Sequence, residues 1–166
     1  MTAIEMSFDG SLLQRGFWLY VWTVQANDRT VLYVGRTGDS SSPNASSPFR
    51  RIGQHLDSRP NAKGNAMARQ LKTEGVDPTK CRFEMLAFGP IFPEQETMAE
   101  HRVIRDRVAA LERKLADHLK GRGHTVIGTH PRKRPLDEQT TELLDEVCRA
   151  VDKRLATPVE GRGRPS

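Results

Sequence analysis

The sequence contains little cysteine and no long hydrophobic run, and each absence excludes a class of protein. Among its 166 residues are two cysteines, Cys81 and Cys148, which lie far apart and form no C-x-x-C pair. This argues against a disulfide-stapled secreted domain and favours a reduced, cytoplasmic protein. No apolar stretch approaches the roughly 20 residues of a membrane span, so no membrane partner is expected. The first ten residues include acidic side chains and no apolar segment, unlike a secretory signal peptide.

Positive charge is in moderate excess. Lysine and arginine number 26 and aspartate and glutamate 21, which gives a net charge of +5. Such a surplus favours a polyanionic partner only weakly, and basic clusters are also common on solvated surfaces. Both interpretations stay open for the arginine-containing clusters, which are Arg50-Arg51, Arg132-Lys133-Arg134 and the basic segment at 161–164.

The chain length and the hydrophobic periodicity predict one α+β domain with peripheral additions. Residues 1–16 are expected to form an N-terminal arm, residues 131–156 a basic linker with a C-terminal amphipathic helix, and residues 157–166 a disordered basic tail. Strands are predicted at 17–24, 30–35 and 81–88, with a short edge strand at 125–127, and helices at 48–56, 65–74, 94–120 and 136–155.

The sequence has only two tyrosines, and both fall in the first predicted hairpin. Tyr20 and Tyr33 lie on its two strands, joined by a polar turn at 25–29. A Ser- and Pro-rich stretch, 38–48, contains no apolar residue larger than alanine and predicts a mobile loop. The helix that follows carries Arg51 and His55 at i, i+4 spacing, so their side chains lie one above the other.

A carboxylate on the longest predicted helix could complete a site with these four residues. Glu112 lies at the margin of the apolar stripe, flanked by Val108 and Ala116 at i−4 and i+4. A carboxylate can ligate a hard cation, an arginine can hold a phosphate, and a tyrosine or histidine can move a proton. Together these groups suffice for phosphodiester hydrolysis with one divalent metal.

The motifs resemble the GIY-YIG nuclease superfamily over residues 17–128. Trp18-Leu19-Tyr20 stands at the GIY position, and Tyr33-Val34-Gly35, continued by Arg36-Thr37, matches the YIG motif. The step from Arg51 to His55 matches the family's arginine and histidine. Leu111-Glu112, followed by a glycine-bearing turn and Val126-Ile127, matches the segment that holds its metal-binding glutamate.

This resemblance implies a nuclease domain at 17–130 with a small central antiparallel β-sheet of about three strands, flanked by helices. It implies a DNA substrate, Mg²⁺ or Mn²⁺ bound by Glu112, and Arg51 neutralising charge on the phosphoryl group. Tyr20 is the preferred general base or water-orienting group, with Tyr33 alongside and His55 assisting. The residues expected to contact nucleic acid are Arg36, Arg50, Arg51, Arg132, Lys133 and Arg134.

Two departures from the family pattern keep alternatives open. Trp18 stands where glycine is usual, and Gly128, followed by Thr129 and His130, occupies the region where the family often has an asparagine. The chain could therefore be a catalytically weak module that binds nucleic acid or protein. A third interpretation is a basic α+β domain whose C-terminal helix mediates a homodimer. Tyr33 or His55 could replace Tyr20 as the base, and Glu100 is the alternative to Glu112.

Overall fold

The computed structural model describes residues 3–26, 29–38, 43–59 and 61–157. Its centre is a sheet of four strands: β1 (Phe17–Gln25), β2 (Thr30–Arg36), β3 (Arg82–Phe92) and β4 (Val126–Ile127). The strand order is β3-β1-β2-β4. β1 pairs antiparallel with β2 and β3, and β4 runs parallel to β2.

The predicted α+β class is confirmed, but the sheet is mixed and has four strands, where an antiparallel sheet of about three was expected. The fourth strand is the short edge strand predicted at 125–127, and it pairs in parallel with the outer edge of β2. Leu32 and Tyr33 lie opposite Val126 and Ile127 in this parallel ladder. The pairing places the chain after β4 directly beside the tyrosine strand.

Four helices cover the two faces of the sheet. They are α1 (Pro48–His55), α2 (Ala66–Thr73), α3 (Met98–Gly121) and α4 (Glu138–Ala156). Two short 3₁₀ segments, Gly10–Leu13 and Pro78–Lys80, precede β1 and β3. Helix α3 begins four residues later than the periodicity predicted, because Thr97 and Glu100 form a reciprocal capping box that fixes its first turn.

Alternation along β1 divides the core into two layers. Leu19 and Val21 pack with α3 and α4, in a cluster that includes Leu111 and Leu115. Tyr20 faces the opposite side of the sheet, in a second cluster with residues of α1 and α2. Both faces of β1 are therefore buried, and the two-residue period of the strand directs Tyr20 toward α1.

The amphipathic C-terminal helix packs onto the domain. Val147, Cys148 and Val151 of α4 lie in the same cluster as Leu115 and Leu119 of α3. The apolar stripe of α4 is therefore buried within its own chain, as expected for an amphipathic helix on a globular core.

Several predicted irregular segments are described only in part. Residues 3–9 of the arm have no regular secondary structure. Residues 39–42 of the predicted loop, residues 27–28 of the predicted turn and the predicted tail beyond residue 157 lie outside the described residues. Within the described ranges, no helix is both long enough and apolar enough to cross a membrane.

Candidate active site

The five residues singled out from the sequence all line one cavity of about 310 Å³. They come from four elements that are far apart in the chain: Tyr20 from β1, Tyr33 from β2, Arg51 and His55 from α1, and Glu112 from α3. The remaining wall is formed by Gly35, Arg36, Ala66, Thr129, His130 and Pro131. The cavity therefore lies where the hairpin, the first helix and the longest helix meet.

Tyr20 and His55 form the buried floor of this cavity. The exposed fraction of Tyr20 is 1% and that of His55 is 2%. The Tyr20 hydroxyl oxygen lies 2.7 Å from His55 Nε2, and 3.1 Å from the carbonyl oxygen of Arg36, to which the hydroxyl donates. A hydroxyl has one proton, so it donates to only one of these partners at a time. The tautomer of His55 therefore decides where the Tyr20 proton points.

Tyr33 supports the histidine from the neighbouring strand. Its ring meets the His55 ring edge-on, with 5.2 Å between the centroids. Tyr20 also meets His55 edge-on, at 5.8 Å. Such edge-to-face contacts favour one ring orientation, so the two tyrosines hold the imidazole from both strands of the hairpin.

Gly35 permits the close approach of Tyr20 to β2. The antiparallel register places Tyr20 opposite Gly35. A Cβ atom at position 35 would lie 2.6 Å from the Tyr20 ring, which no side chain tolerates without movement. The glycine is therefore needed for space in front of the tyrosine.

Burial is the main influence on the ionisation of Tyr20. It raises the pKa of the phenol above its ordinary value, because the charged form would lose its hydration. The positive charge of Arg51 and a hydrogen bond from it oppose this shift, while Tyr33 and Glu112 add to it. Tyr20 is consequently a neutral phenol at physiological pH.

Glu112 reaches the cavity, and the alternative Glu100 does not. Glu112 accepts a hydrogen bond from Arg36 Nε at 2.9 Å, and the exposed fractions of the two side chains are 11% and 13%. Glu100 is exposed and serves the capping box in the first turn of α3. Position 112 lies roughly 18 Å further along the helix than position 100.

Arg36 is the predicted nucleic-acid contact whose setting differs most from the expectation. It was expected to meet phosphate, and it is paired with the carboxylate of Glu112 instead. Its Nη1 atom is buried and has no hydrogen-bond partner among the residues that the structure describes. One side of the guanidinium is thus engaged and the other is not.

His130 lines the cavity, and no role was predicted for it from the sequence. It follows β4, whose pairing with Tyr33 brings the subsequent residues to the site. Burial, reinforced by the charges of Lys120 and Arg113, lowers the pKa of His130 to about 4. The imidazole is therefore neutral near pH 7. Its place in the cavity was not predicted because it depends on the parallel pairing of β4 with β2, which is a tertiary contact.

Apart from Arg36 and Arg51, the predicted nucleic-acid contacts lie outside the cavity. Arg50 is exposed on α1, and Arg132 is exposed in the linker. Lys133 is paired with Asp117 at 3.6 Å and Arg134 with Asp106 at 2.6 Å. These exposed ion pairs with α3 contribute little to stability, so the linker cations can exchange their carboxylate partners for phosphate.

Trp18 departs from the family pattern without disturbing Tyr20. Its side chain is buried and its indole nitrogen donates to the Gln14 carbonyl oxygen. A Cβ atom at Gly89 on β3 would lie 2.7 Å from the indole, so the glycine leaves the space that the ring occupies. The tryptophan is therefore a packing residue on β1.

The donor set fits a metal ion held by one carboxylate. In the described part of the chain, no group of three or more histidines, cysteines, aspartates or glutamates is placed to hold a metal ion together. Magnesium is commonly bound through one or two carboxylates, with water and substrate phosphate completing its shell. Glu112 provides one such carboxylate in a cavity that also contains Arg51.

Comparisons with protein families, with curated proteins and with solved structures find no match to this chain. The resemblance to GIY-YIG nucleases therefore stays a prediction from the motifs. Function has to be inferred from the residues of the cavity.

Proposed function

We propose that the protein is a divalent-metal-dependent endonuclease that hydrolyses DNA phosphodiester bonds, with the GIY-YIG type of site. The observation that carries this proposal is the convergence of all five predicted residues on one cavity. Two aromatic hydroxyls, an imidazole, a guanidinium and a carboxylate are the groups that metal-assisted phosphodiester hydrolysis needs. Their separation in the chain makes the convergence informative, because local structure alone does not bring them together.

Glu112 and Arg51 have separate roles toward the substrate phosphate in this proposal. Glu112 is the residue that would hold Mg²⁺ or Mn²⁺. When bound, such an ion acts as a Lewis acid on the phosphate and stabilises the leaving oxygen. Arg51 lines the same cavity and presents a planar guanidinium, which neutralises charge that accumulates on the phosphoryl group.

Tyr20 and His55 act together as the proton-accepting unit in this proposal. Tyr20 is neutral, so it can accept a proton from water only as it transfers its own proton to a partner. His55 Nε2, 2.7 Å from the hydroxyl oxygen, receives that proton in the tautomer that carries its own proton on Nδ1, with the hydroxyl turned from the Arg36 carbonyl oxygen to the imidazole. Tyr20 keeps the role of general base or water-orienting group, and Tyr33 holds the His55 ring in place.

DNA contacts outside the cavity would follow the basic residues at its rim. Arg50 is exposed on the helix that carries Arg51, and the linker with Arg132, Lys133 and Arg134 begins at Pro131 in the cavity wall. Phosphate contacts from such residues are independent of sequence and weaken as salt is added. These contacts position a duplex and do not select a base sequence.

The proposal is tested by nicking of supercoiled plasmid with the purified full chain. We expect nicked product with Mg²⁺ or Mn²⁺ and none with EDTA. Arg51→Gln should retain the fold and reduce the rate by about 100-fold or more, because it removes the phosphate-neutralising charge. Arg50→Gln, one residue away on the exposed side of α1, is the matched control and should change the rate far less.

A catalytically weak binding module is the second candidate. It is favoured by the pairing of Glu112 with Arg36 and by the burial of Tyr20, which both limit access to reactive groups. DNA binding in a gel-shift assay without metal-dependent nicking would support the module over the enzyme. A homodimer through α4 would have to use the outward face of that helix, because its apolar stripe packs against α3. Sedimentation of the full chain measures this directly.

A further inference from the structure

A buried ion pair occupies the carboxylate that the proposed function assigns to a metal ion. Arg36 Nε donates to Glu112 Oε2 at 2.9 Å. The guanidinium therefore places a positive charge beside the oxygen that a divalent cation would need. Two cations at one carboxylate repel each other, so the guanidinium in this position weakens the binding of a metal ion to Glu112.

The Arg36 backbone is fixed, and only its side chain is able to move. Arg36 lies opposite Leu19 in the β1–β2 ladder, and the amide of the next residue, Thr37, donates to the Trp18 carbonyl oxygen. The Arg36 carbonyl oxygen accepts from the Tyr20 hydroxyl. The main chain of this residue thus belongs to the rigid part of the site, whatever the side chain does.

Beside Glu112, the Arg36 guanidinium does not find a hydrogen-bond acceptor for all of its donors among the described residues. Its Nη1 atom is buried and has no hydrogen-bond partner among the described residues. An unsatisfied buried donor is unfavourable, and an arginine fork is best matched by the oxygens of a carboxylate or a phosphate. A second position of the side chain, with a phosphate oxygen as partner, would satisfy the donors that Glu112 does not.

We propose that Arg36 is an internal placeholder for the divalent cation: its guanidinium occupies Glu112 in the metal-free protein and transfers to a substrate phosphate when the site is loaded. This inference rests on the proposed function, in which Glu112 is the metal ligand. Its consequence is that DNA phosphate and metal ion bind cooperatively, because the phosphate draws Arg36 away from Glu112. Without DNA, Arg36 weakens the binding of metal.

The test is a titration of the full chain with Mn²⁺ in the absence of DNA, with free Mn²⁺ followed by electron paramagnetic resonance. Arg36→Met retains the length of the stem and removes the charge, and we expect its Kd for Mn²⁺ to fall about tenfold, within the usual range of coupling between sites. Arg113→Met is the matched control. Arg113 follows Glu112 on α3, but its guanidinium donates to Asp117, so its Kd should stay close to that of the wild type.

Glu112→Gln separates failure of this inference from failure of the proposed function. We expect its Mn²⁺ affinity to be strongly reduced. If it is reduced but Arg36→Met binds no more tightly than the wild type, Arg36 is not a placeholder and the metal assignment stands. If Glu112→Gln binds Mn²⁺ as the wild type does, the metal assignment itself is wrong. Thermal melts verify folding, and Arg36→Gln, which is neutral but retains a donor, replaces Arg36→Met should the latter not fold.

Discussion

The Tyr20 hydroxyl oxygen and His55 Nε2 lie 2.7 Å apart in a part of the protein that is almost closed to solvent. The two residues are 35 positions apart in the sequence and belong to a strand and a helix on one side of the sheet. Inside the protein such a hydrogen bond is stronger than in water, and the loss of either partner leaves a polar group unsatisfied. We therefore expect the pair to act as one unit in stability.

Replacing both members of this pair should have a smaller effect than the sum of the single changes. We expect Tyr20→Phe to lower the free energy of unfolding by about 1–2 kcal/mol, since it removes the hydroxyl shared by His55 and Arg36. Tyr20→Phe, His55→Leu and the double variant form a cycle in urea denaturation, with a coupling energy of about 1 kcal/mol. Strictly additive effects would show that the two residues do not depend on each other.

The same substitution at two glycines should have opposite effects. Gly35→Ala places a methyl group against the Tyr20 ring and should destabilise the protein by about 1–3 kcal/mol, with loss of nicking. Gly53, exposed within α1, has no atom within 4 Å of a built Cβ. Gly53→Ala should stabilise the helix by about 0.5–1 kcal/mol. Equal effects of the two changes on unfolding would contradict the close approach.

His130 should make the stability of the protein sensitive to acid. Its folded pKa is about 4, below the ordinary value of 6.5, so between these values the unfolded chain binds a proton that the folded protein does not. Stability is therefore lost as the pH falls from 6.5 toward 4. In His130→Gln the drop in unfolding free energy between pH 7 and pH 4.5 should be smaller by about 1–2 kcal/mol. If the drop in His130→Gln equals that in the wild type, the pKa of His130 is not lowered and its imidazole is hydrated in the folded protein.

The sequence predicted the elements that depend on local periodicity. The two-residue alternation of β1 gave the two faces of the sheet, and the apolar stripe of α3 placed Glu112 at its margin, where the structure has it. The resemblance of the motifs selected five residues, and all five line one cavity. The faces of β1 and the stripe of α3 follow from neighbours within about seven positions, which a single sequence contains, whereas the five residues were grouped by their resemblance to the GIY-YIG motifs.

Features that depend on tertiary pairing were not predictable in the same way. The parallel pairing of β4 with β2 joins segments more than 90 positions apart, and His130 enters the cavity only as its consequence. Arg36 was predicted to contact nucleic acid, and nothing in its sequence neighbours shows that a carboxylate 76 positions later reaches it. Helix propensity in residues 94–97 gave way to the capping box, which sets the start of α3 at Met98.

The most direct test of the central claim compares two glutamates on the same helix. Glu112→Gln and Glu100→Gln are the same chemical change on α3, one inside the cavity and one in the exposed capping box. In a plasmid nicking assay with Mg²⁺, we expect Glu112→Gln to lose activity by about 1000-fold or more while its DNA binding and melting temperature change little. Glu100→Gln should nick at nearly the wild-type rate. Undiminished nicking by Glu112→Gln would contradict the assignment of this cavity as a metal-dependent nuclease site.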